Sequence, residues 1–365
     1  LKQQRLLFAF VQIAAILRAL VAGGRWCSKI FLISGARLLE PIHFMPGTKS
    51  VARRRFLLGA GGAAAAGAAW LGLSKSFPAR FIRERMAEVS AKIAPASGKP
   101  TPEQWTDSQL TAAWLGHSTV LINFYGLNIL TDPVLQSRCG ANIGVGIVGP
   151  KRLIAPALLV DELPRIDLVL LSHAHMDHMD SSTLGKLKAG PQAVLAHRTG
   201  DILDGTNLTQ RAELKWGDKT VVKTAQHGDV EVEAFEVNHW GARWRRDTYR
   251  GYNGYILRRG GKQIIFGGDT AMTDTFASLK AKGPFELACM PIGAYDPWIR
   301  AHCTPEQAVS MANDAGAKYL MPIHHTTFRL SRESDTEPLE RFEAALSREA
   351  ERIALRRTGE TFVTA

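Results

Sequence analysis

The chain has 365 residues, 45% of them hydrophobic and 22% charged, the balance of a folded globular protein and not of a disordered or fibrous one. Its net charge of +11 belongs to one end, because residues 1–100 hold 16 Lys and Arg against 3 Asp and Glu, while the remainder holds 29 against 31. That excludes a generally basic, nucleic-acid-binding body, and four cysteines without a CxxC pair exclude a disulfide framework and a zinc ribbon.

Two apolar runs open the chain. Residues 6–24 approach the length of a bilayer span but carry Arg18 near the middle. Residues 56–73, FLLGAGGAAAAGAAWLGL, follow Arg53, Arg54 and Arg55. A twin arginine ahead of Phe-Leu and a Gly/Ala-rich run resembles a Tat export signal. Since Met45 opens MPGTKSVARRRFLLGAGG, the signal is expected to start there, with 1–44 upstream or mis-started sequence and 45–77 the signal or anchor. The small-residue site Ala94-Pro95-Ala96 stands far downstream for cleavage, so an uncleaved anchor and a released protein both stay open. A buried Gly/Ala helix is the plainer reading of the run. The expected location is the periplasmic side of a membrane, with the cytoplasm as the alternative. Residues 78–104 read as a linker, and 105–365 as the folded domain.

In that domain strand-like segments recur at 112–115, 119–124, 127–130, 168–171, 193–196, 230–237, 255–258, 263–266, 287–290 and 319–321, most closed by polar or Gly-containing turns. Helices are expected at 305–315 and 337–350; Thr304-Pro305-Glu306 supplies an N-cap and a first-turn proline. Hairpins first, then strands alternating with helices, predict mixed sheets covered by helices.

Ten of the eleven histidines fall between His117 and His325. The stretch Leu171–Asp180, LSHAHMDHMD, packs His173, His175, Asp177 and His178 behind an apolar strand. Buried imidazoles and carboxylates are costly unless paired, and a metal pairs with all of them. Four donors so close divide more naturally between two ions, whose remaining ligands must come from later strand ends: His239 in EVNHW, Asp269 in IIFGGDT and His324 in MPIHHTTF. Zinc takes such donors readily, and other divalent transition metals are alternatives.

HAHMDH with a downstream His, Asp and His resembles the metallo-β-lactamase superfamily. WLGHSTVLI (114–122), LTDP (130–133), GPKR (149–152), PIGAY (291–295) and IHHTTF (323–328) resemble its N-acyl phosphatidylethanolamine phospholipase D branch, over roughly residues 105–362. The resemblance implies a four-layer αβ/βα sandwich, an α+β fold of two mixed β-sheets flanked by helices, with two Zn2+ between them. It implies His173, His175 and His239 on one zinc, Asp177, His178 and His324 on the other, and Asp269 bridging. His302 matches a histidine beside the substrate phosphate, making Asp177, Asp269 and His302 the expected catalytic set. Asp132 is expected to orient a ligand histidine. His117 stays open between a buried, hydrogen-bonded histidine and a similar supporting role.

The implied reaction is hydrolysis of a phospholipid phosphodiester by a metal-bridging hydroxide. The alternatives are a lactonase or other ester hydrolase of the same fold, and an envelope protein that binds metal or lipid without turnover. Met176 replaces the family's aromatic residue and Ala301 its glutamine-like one, both near where head groups would be selected. The loop 239–255 mixes Trp240, Arg243, Trp244, Arg245, Arg246, Tyr249, Arg250 and Tyr252. It is either a solvated loop or a rim for phosphate and a lipid interface. Arg243, Trp244 and Tyr295, with Met176 and Ala301, are the expected substrate contacts. A phospholipid or other phosphodiester and a membrane are the expected partners; nucleic acid is not.

Overall fold

Strand burial decides the layers. In β1 (Leu110–Gly116), β2 (Thr119–Phe124) and β3 (Leu127–Thr131) every residue except Asn128 is buried, so both faces of the sheet are covered. Side chains alternate along a strand. Accordingly Ala112, Trp114, Val120, Ile122 and Phe124 enter one apolar cluster, while Ala113, Leu115 and Leu121 enter another. Each fully buried large side chain is worth about 1.5–3 kcal/mol of transfer free energy.

These strands come from a computed structural model that describes residues 90–142, 146–224 and 227–364 and a few positions from 67 to 88. The twin-arginine motif and the apolar run 6–24 lie outside the described residues, as does most of 56–73. Among the described residues no helix is long and apolar enough to cross a membrane.

After β3 come the short β4 (Ala141–Asn142) and β5 (Ile147–Val148), then β6 (Leu168–Leu171), α1 (Ser181–Leu184), β7 (Gln192–Ala196) and β8 (Arg211–Leu214). They are followed by β9 (Lys219–Thr224), β10 (Gly228–Phe235), β11 (Gly254–Arg259), β12 (Lys262–Phe266), α2 (Thr275–Leu279) and β13 (Phe285–Pro291). Last come α3 (Pro305–Ala315), β14 (Ala317–Ile323), α4 (Glu337–Ala345) and β15 (Thr361–Val363). One sheet has the order β15-β1-β2-β3-β6-β7-β8 and the other β14-β13-β12-β11-β10-β9. Both are mixed: hairpins pair antiparallel, and β3-β6-β7-β8 and β12-β13-β14 pair parallel.

The central core lies between the sheets, where Trp114, Ile122 and Leu170 share a cluster with Tyr255, Phe266, Leu287 and Met321. Outside the second sheet, Ile265, Ala288 and Leu320 pack on Phe276, Ala308, Met311 and Phe342 from α2, α3 and α4. Outside the first, Val169 and Leu195 pack on Met179, Leu184 and Leu203. This is the expected four-layer αβ/βα sandwich.

Helix α3 has its expected bounds. Thr304 accepts from the Gln307 N–H, the Gln307 side chain returns to the Thr304 N–H, and Gly316 closes the helix at φ 80°. Helix α4 stops at Ala345, short of the expected 350, because the following chain turns back so that Ala354 can bond Leu320 O at the flank of β14. The linker expectation needs correction too. Ala94 exchanges bonds with Leu153 and Ala155, Ser97 bonds Thr358, and Glu88 accepts from the Lys151 N–H. Residues from about 88 onward are therefore docked on the domain, ahead of the expected boundary at 105.

Candidate metal centre

The site residues follow the carboxyl ends of strands in both sheets. His117 leaves β1, Asp132 leaves β3, and His173 to His178 leave β6. His239 follows β10, Asp269 follows β12 and His324 follows β14. The two edges meet so that ligand atoms of His173, His175, His239 and Asp269 lie within 4.8 Å of one another, as do those of His117, Asp177, His178 and His324. Asp269 ties the groups together: its Oδ2 is 3.1 Å from both His178 Nε2 and His324 Nε2, 3.8 Å from His239 Nε2 and 4.0 Å from His173 Nε2.

Supporting bonds fix which nitrogen each ring offers. Asp132 Oδ1 accepts from the Ser172 N–H (2.7 Å), and its Oδ2 accepts from the Ser172 hydroxyl (2.6 Å) and from His178 Nδ1 (2.7 Å). With its proton given to Asp132, Ser172 Oγ accepts from His173 Nδ1 at 2.9 Å. His239 Nδ1 donates to Ala301 O at 2.8 Å. Nε2 of His173 and His239 is thereby turned inward as a lone pair, and Nε2 of His178 also points inward, available to a cation once its second proton leaves, the arrangement by which metal-binding histidines are oriented.

A metal pair fits these residues on structural grounds. Asp269 Oδ1, His324 Nδ1 and His302 Nδ1 are buried without a hydrogen-bond partner, a costly state that coordination to a cation relieves. His175 Nδ1 stands 2.8 Å from His173 Nε2 and 3.2 Å from His239 Nε2. Tetrahedral ligands about 2.0–2.1 Å from a zinc ion stand roughly 3.3 Å apart, so the triad is close to coordination spacing.

Electrostatics agree. Burial pushes His175 down to about 3 and His239 to about 4, and holds His173 well below its usual value, so all three rings are neutral. Burial opposes ionisation of Asp177 and Asp269, but the facing histidines outweigh it and hold both carboxyls well below the usual range. At His178 and His324 burial is likewise outweighed, by Asp269 and Asp177, which raise His324 to about 9 and His178 well above 6.5. Protons on these two rings balance the charge that a second cation would balance.

Backbone strain marks the same places. His117, Asp132 and His324 have positive φ of 55°, 33° and 63°, each costing of the order of 1–3 kcal/mol. Gly268, at φ 58°, turns the chain into Asp269 where a Cβ would lie 2.8 Å from Ser172 Cβ and 2.9 Å from Asn253 O, so the sharp turn there requires glycine.

His117 is a buried, hydrogen-bonded histidine. It is 1% exposed, and its Nε2 lies 3.0 Å from Asp177 Oδ2. Its carbonyl accepts from the Trp114 indole (2.7 Å) and from the His324 N–H (3.0 Å). One residue thus grips two members of the second group. His117→Asn, which tolerates the left-handed backbone but is too short to reach Asp177, is expected to fold normally and to hold less metal per chain than the unsubstituted protein. Metal analysis after dialysis checks this; unchanged metal content would remove the clamp role.

Several expected substrate contacts are committed elsewhere. Arg243 donates to Ala174 O (3.0 Å), Met179 O (2.8 Å) and Ser181 Oγ (3.0 Å), so it braces the ligand loop from behind. The Tyr295 hydroxyl donates to Glu337 at 2.7 Å. Ala301 is buried and acts through its carbonyl on His239. Arg250 is buried against Asp201 and Asp247. Met176 is half-buried and Trp244 exposed. His302 lies beside the centre, its Nδ1 3.8 Å from Asp269 Oδ2. Sequence reasoning missed Ser172, whose only signal was its place before HAHMDH, and Thr327, which accepts from the His117 N–H at 2.7 Å.

An αβ/βα sandwich with two His/Asp clusters joined by one aspartate, at the edge where its sheets meet, defines the metallo-β-lactamase fold class. A model of the β-lactamase superfamily domain matches residues 127–325, and the chain belongs to that superfamily. An uncharacterized protein of Mycobacterium tuberculosis is 34% identical over 257 residues, 68% of this chain and 67% of that protein. N-acyl-phosphatidylethanolamine-hydrolyzing phospholipase D 1 of Caenorhabditis elegans is 31% identical over 240 residues, 61% of this chain and 65% of that protein. Within the superfamily the chain falls in the branch that resembles such phospholipases. Among solved structures, an isothiocyanate hydrolase from Delia radicum gut bacteria shares the fold, with TM-score 0.55, 17% identity and coverage of 70% of this chain and 99% of that one.

Proposed function

We propose that the protein is a metal-dependent hydrolase with two zinc ions that cleaves a phospholipid phosphodiester in the phospholipase D sense, N-acyl phosphatidylethanolamine or a close relative being the substrate. The observation that carries this reading is the pair of four-residue clusters joined through Asp269, with His302 at their side. The similarity to the nematode phospholipase supports the substrate class. Two such ions would supply Lewis acidity toward a phosphoryl oxygen and lower the pKa of water to near neutrality.

The chain's own residues then have defined tasks. Asp269 faces both clusters and sets their separation, while Asp132 and Ala301 O hold the rings of His178 and His239 in one tautomer. His302 is kept neutral, since burial pushes its ring well below 6.5. It therefore serves at neutral pH as an N–H donor to a phosphate oxygen, not as an imidazolium acid. His302→Ala is expected to lower kcat by ~10²–10³-fold, the scale of losing one preorganised donor, with both metals retained.

The test is the zinc-loaded full chain with N-acyl phosphatidylethanolamine in mixed micelles, products read by mass spectrometry. Phosphatidic acid and N-acylethanolamine are the expected products. Protein shown to hold two zinc ions that leaves this lipid intact but opens a lactone would replace the reading with the ester hydrolase, and intact substrates throughout would favour metal or lipid binding alone.

A further inference from the structure

Arg152 is among the largest fully buried side chains of the domain, 2% exposed, and none of the tasks of the proposed reaction falls to it. A guanidinium inside a protein is costly unless its donors are met. Here the acceptors are backbone carbonyls and not a carboxylate. Nε donates to Gln136 O at 2.9 Å, Nη1 to Ile154 O at 3.3 Å, and Nη2 to Val134 O. Burial pushes the group down to about 10, so it keeps its charge at neutral pH.

The ends of three strands surround this planar fork. Val134 and Gln136 follow Asp132 in the loop after β3. At the end of β1, a Cβ on Gly116 would lie 2.9 Å from Arg152 Nη1, so the chain runs directly against the guanidinium just before His117. After β14, the guanidinium carbon lies 5.0 Å from the centre of the Phe328 ring, beyond His324 in the same loop. Phe328 in turn meets the His117 ring edge-on, with centroids 5.3 Å apart. Thr327 accepts the Leu153 N–H on its carbonyl (2.9 Å) and the His117 N–H on its hydroxyl (2.7 Å). These are the loops that hold the strained residues: His117, Asp132 and His324 all have positive φ. A non-glycine residue keeps such a conformation only where its surroundings over-determine it. Arg152 lies against all three loops, and its own backbone is fixed. Its N–H donates to Ser137 O at 2.9 Å, and the adjoining Lys151 and Leu153 are bonded to Glu88 and Ala94.

We infer that Arg152 is a positioning residue for the metal centre, its guanidinium fork clamping the loops after β1, β3 and β14. Held in this way, His117 grips Asp177 at 3.0 Å, Asp132 orients His178 at 2.7 Å, and His324 keeps the backbone that turns its ring toward both. Arg152 acts through those loops. A lysine would bring the charge to a single nitrogen and could not meet carbonyls spread around a plane. This role rests on the metal-dependent reading of the site and not on the substrate, and it is tested on metal and not on turnover.

The experiment compares the full chain with its Arg152→Lys and Arg152→Ala variants, zinc affinity being read by chelator competition. The same proteins loaded with cobalt(II) give visible absorption bands that report ligand geometry, and urea unfolding of the metal-free forms reads stability separately. Arg152→Lys is expected to fold, to bind zinc about 10–100-fold more weakly, as when a supporting partner of a ligand is lost, and to shift the cobalt bands. Arg152→Ala is expected to weaken zinc binding likewise. It should recover both affinity and bands with guanidinium, added far below unfolding concentrations, and not with ammonium. Lower stability with unchanged zinc affinity and cobalt bands would overturn the inference and leave Arg152 a packing residue. Ammonium restoring the site as well as guanidinium does would also overturn it, since charge alone would then suffice. If Arg152→Ala does not fold, Arg152→Lys, which keeps the stem and the charge, decides the matter by the same two readouts. An unsubstituted chain that binds no zinc would overturn the clamp and the metal reading together. Weakened zinc binding in Arg152→Lys, with the lipid left intact by the zinc-loaded unsubstituted chain, would support the clamp and remove only the proposed reaction.

Discussion

Asp269→Ala is expected to lose metal and turnover together, the rate falling on the order of 10⁴-fold or more, as when one member of a catalytic unit is removed. The reason is geometric. Asp269 Oδ2 is the only carboxylate oxygen within 4.0 Å of imidazole nitrogens from both clusters, reaching His173 and His239 on one side and His178 and His324 on the other, among the described residues. Without it, up to five inward-facing histidines crowd a buried space with Asp177 and Asp132 as the remaining carboxylates. Burial then drives His173 and His239 further toward neutrality, and no carboxylate oxygen joins the two clusters. Metal content by elemental analysis, read beside turnover of the same preparation, decides the matter. Full metal with lost turnover would make Asp269 a substrate-side group, and normal turnover would remove it from the centre altogether.

This contrasts with His302→Ala, where the expected loss of rate comes with both ions in place. The pair of variants therefore separates building the centre from using it.

The candidate ligands were legible because their chemistry is written in local sequence. His173, His175, Asp177 and His178 fall within six positions, and His239, Asp269 and His324 each end an apolar strand. The central strands were legible for the same reason: when both faces are buried, apolar residues run on without a break. The missed strands are short and half polar. RAEL in β8 and KTVVKT in β9 bury few of their residues, because they lie at sheet edges, and TFV in β15 is specified only by its pairing with β1. The substrate contacts failed differently. Nothing in the letters of Arg243 or Tyr295 says whether a side chain faces the opening or turns back to Ala174 O or Glu337. Long polar side chains take whichever partner the tertiary structure brings, and only the assembled loops decide that.

Asp132→Asn carries the second large expected effect, and it needs no contact between Asp132 and substrate. The carboxylate is fully buried and only accepts: Oδ1 from the Ser172 N–H, Oδ2 from the Ser172 hydroxyl and His178 Nδ1. An asparagine of the same shape has one oxygen and one NH2. Whichever way it is turned, the NH2 faces a donor. If it faces Ser172 N–H, a buried donor is orphaned. If it faces His178, the ring must give up its Nδ1 proton and carry it on Nε2, where the cation should sit. The Ser172 hydroxyl must then reorient as well, which removes the acceptor that holds His173. Metal affinity should fall by about 10–100-fold, the usual result of losing a partner that orients a ligand. The metal-free protein should lose about 3 kcal/mol of stability, as for a broken buried charged hydrogen bond. Chelator competition and urea unfolding of the metal-free form measure the two effects separately. If stability falls while metal affinity stays, Asp132 braces the loop after β3 and does not set the tautomer of His178; if both stay, the buried network tolerates an amide and the orientation argument fails.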